Sequence, residues 1–366
     1  MVTGKLDVRW NHGSPSAKHD RDPEIQVHHY DEHTVILRQN MAVHYEAPFL
    51  YLLLGDDQAV LVDSGATPQH GFFPLRATVD RLLADWLAEH PRNHYQLVVA
   101  HSHSHGDHTA GDVQFADRPD TTVLAADLAA VTGFFGLPDW PEGTAQLDLG
   151  GRVIDVLPSP GHDQPAVTYY DRSTGLLLTG DTLYPGRLYV RDWAAFAATV
   201  ERLLAFAEDS PVRHVLGGHI EMTRRPGVDY PIRTSYQPEE PPLEMDVTDL
   251  RALGRAVQEI GDTPGVHPFE RFVVYHGIPA RHFRLSYRAA ATRPPDPGCG
   301  TAHSSGQGTR MAHASGTGSA KPRPSRLLGV GRNGNAREVE RHDSITVTIA
   351  DRQAGDRSYW VRRNGG

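Results

Sequence analysis

An α/β fold is the class this sequence predicts, and two observations predict it. Short apolar runs of strand length alternate with windows of helical spacing along the middle of the chain. His and Asp residues suited to chemistry fall at the ends of those strands beside glycine, and loops held by a rigid sheet are where functional groups concentrate. The 366 residues are enough to bury a sizeable core in one large domain or two ordinary ones.

In chain order, Val35 to Leu37, Pro48 to Leu54 and Ala59 to Val62 read as strands of an antiparallel meander, with a turn at Gly55-Asp56-Asp57. Asp80 to His90 has helical spacing, with Leu82, Leu83, Trp86 and Leu87 on one face. Tyr95 to Ala100 is a short apolar strand that runs into a cluster of histidines. Thr122 to Ala125 and Val153 to Leu157 follow as strands, then a hairpin-like pair, Ala166 to Tyr170 and Gly175 to Thr179. Ala194 to Ala207 reads as a helix with Phe196, Val200, Leu203 and Leu204 inward. Val212 to Leu216 is a strand, Asp246 to Ile260 an amphipathic helix and Arg271 to Tyr275 a late strand. Gln237 to Pro242 is an extended linker, since consecutive prolines favour polyproline II. There is no internal repeat.

Composition excludes several classes. Cys299 is the only cysteine, so neither a disulfide scaffold nor a cysteine-ligated metal site within the body is available. The longest apolar run, Pro48 to Leu54, falls far short of the roughly 20 residues a bilayer core requires. The opening residues carry no apolar h-region, so no signal peptide is expected and a cytoplasmic location is read. The net charge is −9. Residues 292–366 hold 12 Lys+Arg against 6 Asp+Glu, a balance of +6, which leaves −15 on residues 1–291. The acidic body shows no basic stripe, so a nucleic-acid partner is not expected. The basic segment is rich in Gly, Ser and Pro and is expected to be mostly disordered, apart from an alternating run from Ser344 to Ile349 that could pair as a strand. Residues 1–22 read as a polar leader.

The 22 histidines are the unusual count, and they point toward metal. Residues 98–112, VVAHSHSHGDHTAGD, contain one frame of H-x-H-x-D-H: His103, His105, Asp107 and His108. Side chains two apart on a strand point the same way, so His103 and His105 could grip one ion. Gly106 permits a sharp turn that would swing Asp107 and His108 to a second ion. His101 precedes the frame and reads as a supporting histidine. Downstream, Pro160-Gly161-His162, Thr179-Gly180-Asp181 and Gly217-Gly218-His219 each put a candidate at a strand end, and Asp63 closes Ala59 to Val62 just before Ser64-Gly65.

This order of residues, from about 30 to 225, resembles the metallo-β-lactamase superfamily: an Asp after a strand, H-x-H-x-D-H, a lone His, a Gly-Asp and a final His. The resemblance implies a four-layer αββα sandwich, with a catalytic domain over 23–230, a short helical extension over 231–291 packed on it, and the tail beyond. It implies that His103, His105 and His162 bind a first metal, that Asp107, His108 and His219 bind a second, and that Asp181 bridges them. Asp63 would orient ligands without touching metal. Imidazole and carboxylate ligands suit two Zn²⁺, with Fe or Mn as alternatives. The absence of a cysteine ligand departs from the β-lactamase subclasses that use one and matches glyoxalase-II-like and lactonase-like members. At His162 the sequence continues Asp163-Gln164-Pro165, where many relatives carry a small hydroxyl residue.

The implied function is metal-dependent hydrolysis of a small acyl substrate, a thioester, lactone or related ester. Two cations sharing a water bring its pKa to about 7, which gives a hydroxide for attack on the acyl carbon. Asp107 and Asp181 are the catalytic carboxylates, and Tyr184, three residues after Asp181, is a candidate donor to the oxyanion or an aromatic wall. Arg187, Tyr189, Arg191 and Tyr236 are candidates to line the mouth. The alternatives are an iron-dependent persulfide-dioxygenase-like oxidoreductase, a phosphodiesterase or nuclease, and a metal-holding binding module. The sequence does not specify an oligomeric state.

Overall fold

Strand side chains alternate sides, and in this protein that alternation sorts most of the buried apolar residues into three large cores, with a small fourth cluster of Met222, Val273 and Tyr275. The computed structural model describes residues 4–277, together with the backbone of two short strands further on. The chain divides into two units, residues 1–296 and 297–366.

The first sheet runs β1 (Ile25–Asp31), β2 (Thr34–Gln39), β3 (Phe49–Leu54), β4 (Gln58–Val62), β5 (Gln96–Ala100) and β6 (Thr121–Val123), in that spatial order. β1 to β4 form the antiparallel meander, and β5 and β6 join it in parallel. Ile36, Tyr51, Leu53, Val60, Val62 and Val98 face the second sheet. Their neighbours Leu37, Leu50, Leu52, Leu61, Leu97 and Val99 face α1 (Leu75–Glu89). This helix begins five residues before the expected Asp80, because Leu75 and Val79 extend the same buried face as Leu82, Leu83 and Trp86.

Between the sheets come the short α2 (Gly106–Thr109) and α3 (Leu128–Phe135), the latter not foreseen. Its signals were local: Asp127 accepts from the Ala130 amide as N-cap, and Gly136 closes the helix at φ 69°. The second sheet contains β7 (Ala145–Asp148), β8 (Val153–Pro158), β9 (Val167–Asp171), β10 (Leu176–Gly180) and β12 (His214–Gly217), with only β10 and β12 parallel. Ile154, Val156, Tyr169, Leu176, Leu178 and Leu216 complete the central core. Leu157, Tyr170, Leu177 and Val215 face outward, against Phe196, Val200 and Leu203 of α4 (Trp193–Asp209) and Leu250, Leu253, Ala256 and Ile260 of α5 (Val247–Ile260). Three apolar layers between helix, sheet, sheet and helices make the αββα sandwich.

A third sheet was not anticipated. β11 (Arg187–Val190) pairs in parallel with β14 (Val273–His276), which pairs with β13 (Gly265–Pro268). Residues 4–22 also differ from the expected polar leader. Trp10 is buried edge-on to Phe49 at 4.9 Å, and the Lys5 amide bonds the Tyr30 carbonyl. The alternation Leu6, Val8, Trp10 supplies the reason: all three side chains pack on the central core.

Two buried arginines tie distant segments together. Arg38 makes a bidentate pair with Glu240 at 2.7 and 2.6 Å, which fastens the proline segment to β2. Arg152 bonds Asp171 and Thr34 and the carbonyls of His33 and Leu54, which clips the two sheets together. In the second unit, Ser344–Val347 pairs antiparallel with Tyr359–Arg362, with Ser344 opposite Arg362. The expected disorder of 292–366 otherwise lies outside the described residues, as does Cys299.

Candidate metal centre

Every strand that carries a candidate residue delivers it to one edge of the sandwich. β5 stops at Ala100, so His103 and His105 lie on a loop rather than on a strand, and their convergence has a different cause from the expected alternation. Asp163 supplies it. One of its carboxylate oxygens accepts from both the amide and the hydroxyl of Ser104, which pins the residue between the two histidines to the residue after His162. Gly106 is the first residue of α2 and has no positive φ, so the chain passes from extended at His105 to helical there without using glycine's left-handed freedom. Asp107 and His108 ride on α2.

The structure brings all seven expected ligands together. Ligand atoms of His103, His105 and His162 lie within 4.8 Å of one another, and so do those of His108, Asp181 and His219 and those of His103, Asp107 and His108. Asp181 stands between the sets. Its Oδ2 is 3.5 Å from His162 Nε2 and 3.9 Å from His103 Nε2, while its Oδ1 is 3.6 Å from His108 Nε2 and 3.5 Å from His219 Nε2. Asp107 Oδ2 sits 3.3 Å from His219 Nε2 and 3.5 Å from His108 Nε2. At Gly218 any side chain would collide with this group: a Cβ there would fall 2.7 Å from Asp181 Oδ1 and 2.9 Å from His108 Cε1.

Hydrogen bonds around the rim set the tautomers. His162 Nδ1 donates to the Tyr189 carbonyl at 2.7 Å, and His219 Nδ1 to the Glu46 carbonyl at 2.8 Å. His108 Nδ1 donates to Asp63 at 2.7 Å. Ser102 gives its hydroxyl proton to Asp63 at 2.9 Å and so accepts from His103 Nδ1 at 3.0 Å. Four imidazoles thus spend their outer N–H away from the cluster and aim Nε2 inward. Asp63 touches none of the inner atoms, and its backbone is left-handed, φ 68°. The inner atoms His103 Nε2 and Asp181 Oδ1 are buried without a hydrogen-bond partner, and His105 presents its Nδ1 to the cluster, 2.9 Å from His162 Nε2. Imidazole nitrogens and carboxylates crowded onto one another, with few other partners from the protein, are the donor set a divalent cation fits once it displaces the protons between them.

Charge divides the cluster. Burial, reinforced by neighbouring imidazoles, holds His103 well below the usual range and brings His162 down to about 3. Burial opposes the charged form of His219 too, yet the carboxylates of Asp181 and Asp107 outweigh it and lift the value to about 9. Burial pushes Asp181 up to about 6 against the pull of His219 and His108. The histidine trio is therefore neutral, whereas the carboxylate-rich side holds a proton that a cation must displace. At pH 7 the His219 ring is protonated, since pH lies below its value, so metal binding is expected to release at least one proton. Calorimetry in two buffers of different ionisation enthalpy measures this, and the part of the release that comes from His219 should fade as pH rises through about 9.

Several candidate residues lie apart from the cavity or turn away from it, and others line it without a signal in the sequence. Tyr184 lines the cavity with its ring 5.6 Å from that of His219. Its hydroxyl donates to the Arg187 carbonyl at 2.5 Å beside Glu221, so its one proton is spent away from the cavity, and it is a wall rather than an oxyanion donor. Arg187 is buried behind that wall, its guanidinium held by Glu221, Asp229 and the Tyr230 carbonyl. Tyr189 and Arg191 do line the cavity, whose volume is about 410 Å³. Tyr236 lies elsewhere, against His12. His101 turns from the cluster toward Asp112 at 3.1 Å. Glu46, Glu221 and Tyr275 also line the cavity and had no local signal, because separate elements carry them. Ser102 and Ser104 had one, the hydroxyls interleaved in His-Ser-His-Ser-His.

A second set, Glu32, His33 and His90, does not fit a metal. The Trp86 indole donates to His33 Nδ1 at 3.1 Å, so the neutral ring carries its proton on the nitrogen a metal would need. A larger groove of about 540 Å³, lined by residues including Trp10 and Pro241, contains none of the cluster. Among the described residues, no helix is long and apolar enough to cross a membrane.

A family model described as metallo-beta-lactamase superfamily matches residues 47–219, a span that contains all seven candidate ligands and Asp63. The human acyl-coenzyme A thioesterase MBLAC2 is 25% identical over 205 residues, covering 46% of this chain and 72% of that protein. The hydroxyacylglutathione hydrolase of Rhizobium meliloti (strain 1021) is 27% identical over 175 residues, covering 44% of this chain and 63% of its own. Among solved structures, a metallo-beta-lactamase from Pontibacter korlensis aligns with 64% of this chain and 99% of its own at a TM-score of 0.43 and 17% identity.

Proposed function

We propose that this chain, which belongs to the metallo-β-lactamase superfamily, is a dinuclear, zinc-dependent hydrolase of small acyl substrates, with thioesters as the first class. The observation that carries the reading is Asp181, whose two carboxylate oxygens face different sets of ligand atoms. A carboxylate so placed can hold an ion on each side. The names of the relatives, a thioesterase and a hydroxyacylglutathione hydrolase, support the thioester class.

In this reading His103, His105 and His162 hold one ion, Asp107, His108 and His219 the other, and Asp181 both. The bound ions would supply a water made acidic enough to attack at neutral pH. The protein's own part is orientation. Asp63 aims His108 directly and His103 through Ser102. The Tyr189 and Glu46 carbonyls aim His162 and His219. Asp163 holds the His103–His105 loop against His162. Asp107, beside His219 and at the cavity, is placed to take up and return a proton. Tyr184, Tyr189 and Tyr275 wall the cavity.

The test is a panel of thioesters, lactones and β-lactams offered to zinc-loaded and chelator-treated protein, with metal counted on both. Two zinc ions per chain and thioester hydrolysis that disappears with the metal are expected. One ion per chain, or oxygen uptake with an iron-loaded protein and a persulfide in place of hydrolysis, would reverse the reading.

A further inference from the structure

The cavity above the cluster is acidic with a single exception. Glu46, Asp107, Asp181 and Glu221 line it, and Arg191 is the only Lys or Arg among its lining residues. Two of those carboxylates are directed at the ligand set. Glu221 is neutralised by Arg187, and Glu46 accepts from the Tyr45 hydroxyl at 2.7 Å with His44 3.4 Å away. Outside the ligand set and the ions proposed for it, an anion that enters the cavity therefore meets one cationic side chain, Arg191.

Arg191 has a fixed base and a loosely held tip. Its amide and that of Asp192 both bond the carbonyl of Gly161, at 2.9 and 3.0 Å, which seats it beside His162. Gly161 has φ 141°, and a Cβ there would lie 2.5 Å from the Cα of Phe196, so only glycine permits this close approach. Asp192 then caps α4 through the Ala195 amide. The guanidinium, by contrast, is 65% exposed and reaches Asp163 Oδ1 at 3.4 Å, its one partner among the described residues. The other oxygen of Asp163 is committed to Ser104. A planar guanidinium with most of its donors open matches the paired oxygens of a carboxylate or phosphate.

We propose that Arg191 determines specificity in the thioester hydrolysis proposed above, by binding an anionic group, carboxylate or phosphate, carried by the substrate close to the scissile acyl group. This rests on the thioester reading, and it goes beyond it in saying which thioesters are taken. Arg191 acts in binding and does not touch the reacting atoms.

Hydrolysis of four S-acyl compounds by zinc-loaded wild type, R191A, R191K and R191E tests it. The compounds are S-acetylglutathione, with carboxylates on the thiol half, acetyl-coenzyme A, with phosphates there, S-succinyl-N-acetylcysteamine, with the carboxylate on the acyl half, and uncharged S-acetyl-N-acetylcysteamine. For at least one anionic compound the ratio of its kcat/KM to that of the uncharged one is expected to fall about tenfold in R191A, the loss of a hydrogen bond to a charged group. The fall should appear in KM, be larger in R191E and be partly restored in R191K, and the affected compound identifies the group and its half. Ratios unchanged in both R191A and R191E would overturn the inference. Should wild type cleave none of the four, the thioester reading fails. The inference is then decided by calorimetric Kd values for S-methylglutathione and S-methyl-coenzyme A, where R191A binding as tightly as wild type, or no binding by either, would overturn it.

Discussion

Asp181→Ala protein is expected to lose more than about 100-fold in kcat/KM and to bind fewer metal ions than wild type, while its far-UV circular dichroism stays the same. Losing a residue that merely orients a ligand costs about 10–100-fold, and Asp181 faces both sets of ligand atoms, so its loss should exceed that range. The fold should survive, because Asp181 Oδ1 has no hydrogen-bond partner within the protein. Metal content by atomic emission and kinetics on the best thioester of the panel check this. Two retained ions with near-normal turnover would remove the bridging role.

The second large effect concerns Asp63, and it separates support from structure. Its carboxylate is buried and accepts from the Ser102 amide, the Ser102 hydroxyl and His108 Nδ1. Asp63→Ala strands these donors and removes the partner of a buried ion pair, which costs about 3–5 kcal/mol. For a domain of this size, that lowers Tm by roughly 10 °C. Alanine is also strained at φ 68°, whereas asparagine tolerates that conformation. Asp63→Asn should therefore keep most of the stability, because its oxygen still accepts from Ser102. Its amide cannot accept the His108 proton, so activity and metal affinity should still fall about 10–100-fold. Thermal melts, zinc titration and kinetics on both variants distinguish the two contributions. Equal loss of stability and activity in Asp63→Asn would make the residue structural only.

Much of the sandwich was legible because each strand carries its own evidence. Runs such as Phe49–Leu54 and Leu176–Gly180 are apolar on both faces, as strands between two cores must be. β1 was not read because its polar His28 and His29 break the pattern, and only pairing with β2 completes it. β11 and β14 are four residues each and lie far apart in sequence, so no local window reveals that they pair. The N-terminal segment was misjudged because its composition is polar on average, although Leu6, Val8 and Trp10 alternate onto the core.

The sequence by itself determined the chemistry available: which imidazoles and carboxylates exist, their order, and their places at the ends of strands beside glycine. That much is local, because a residue's type and its position in a strand do not depend on the rest of the chain. Only the tertiary structure decided which atoms face inward, that Asp181 stands between two sets, that the Tyr184 hydroxyl turns away, and that Asp163 draws the histidine loop to His162. Those outcomes depend on which carbonyl or carboxylate from a remote element takes each N–H or O–H, and hydrogen-bond partners dozens of residues apart leave no trace in any stretch of sequence short enough to read.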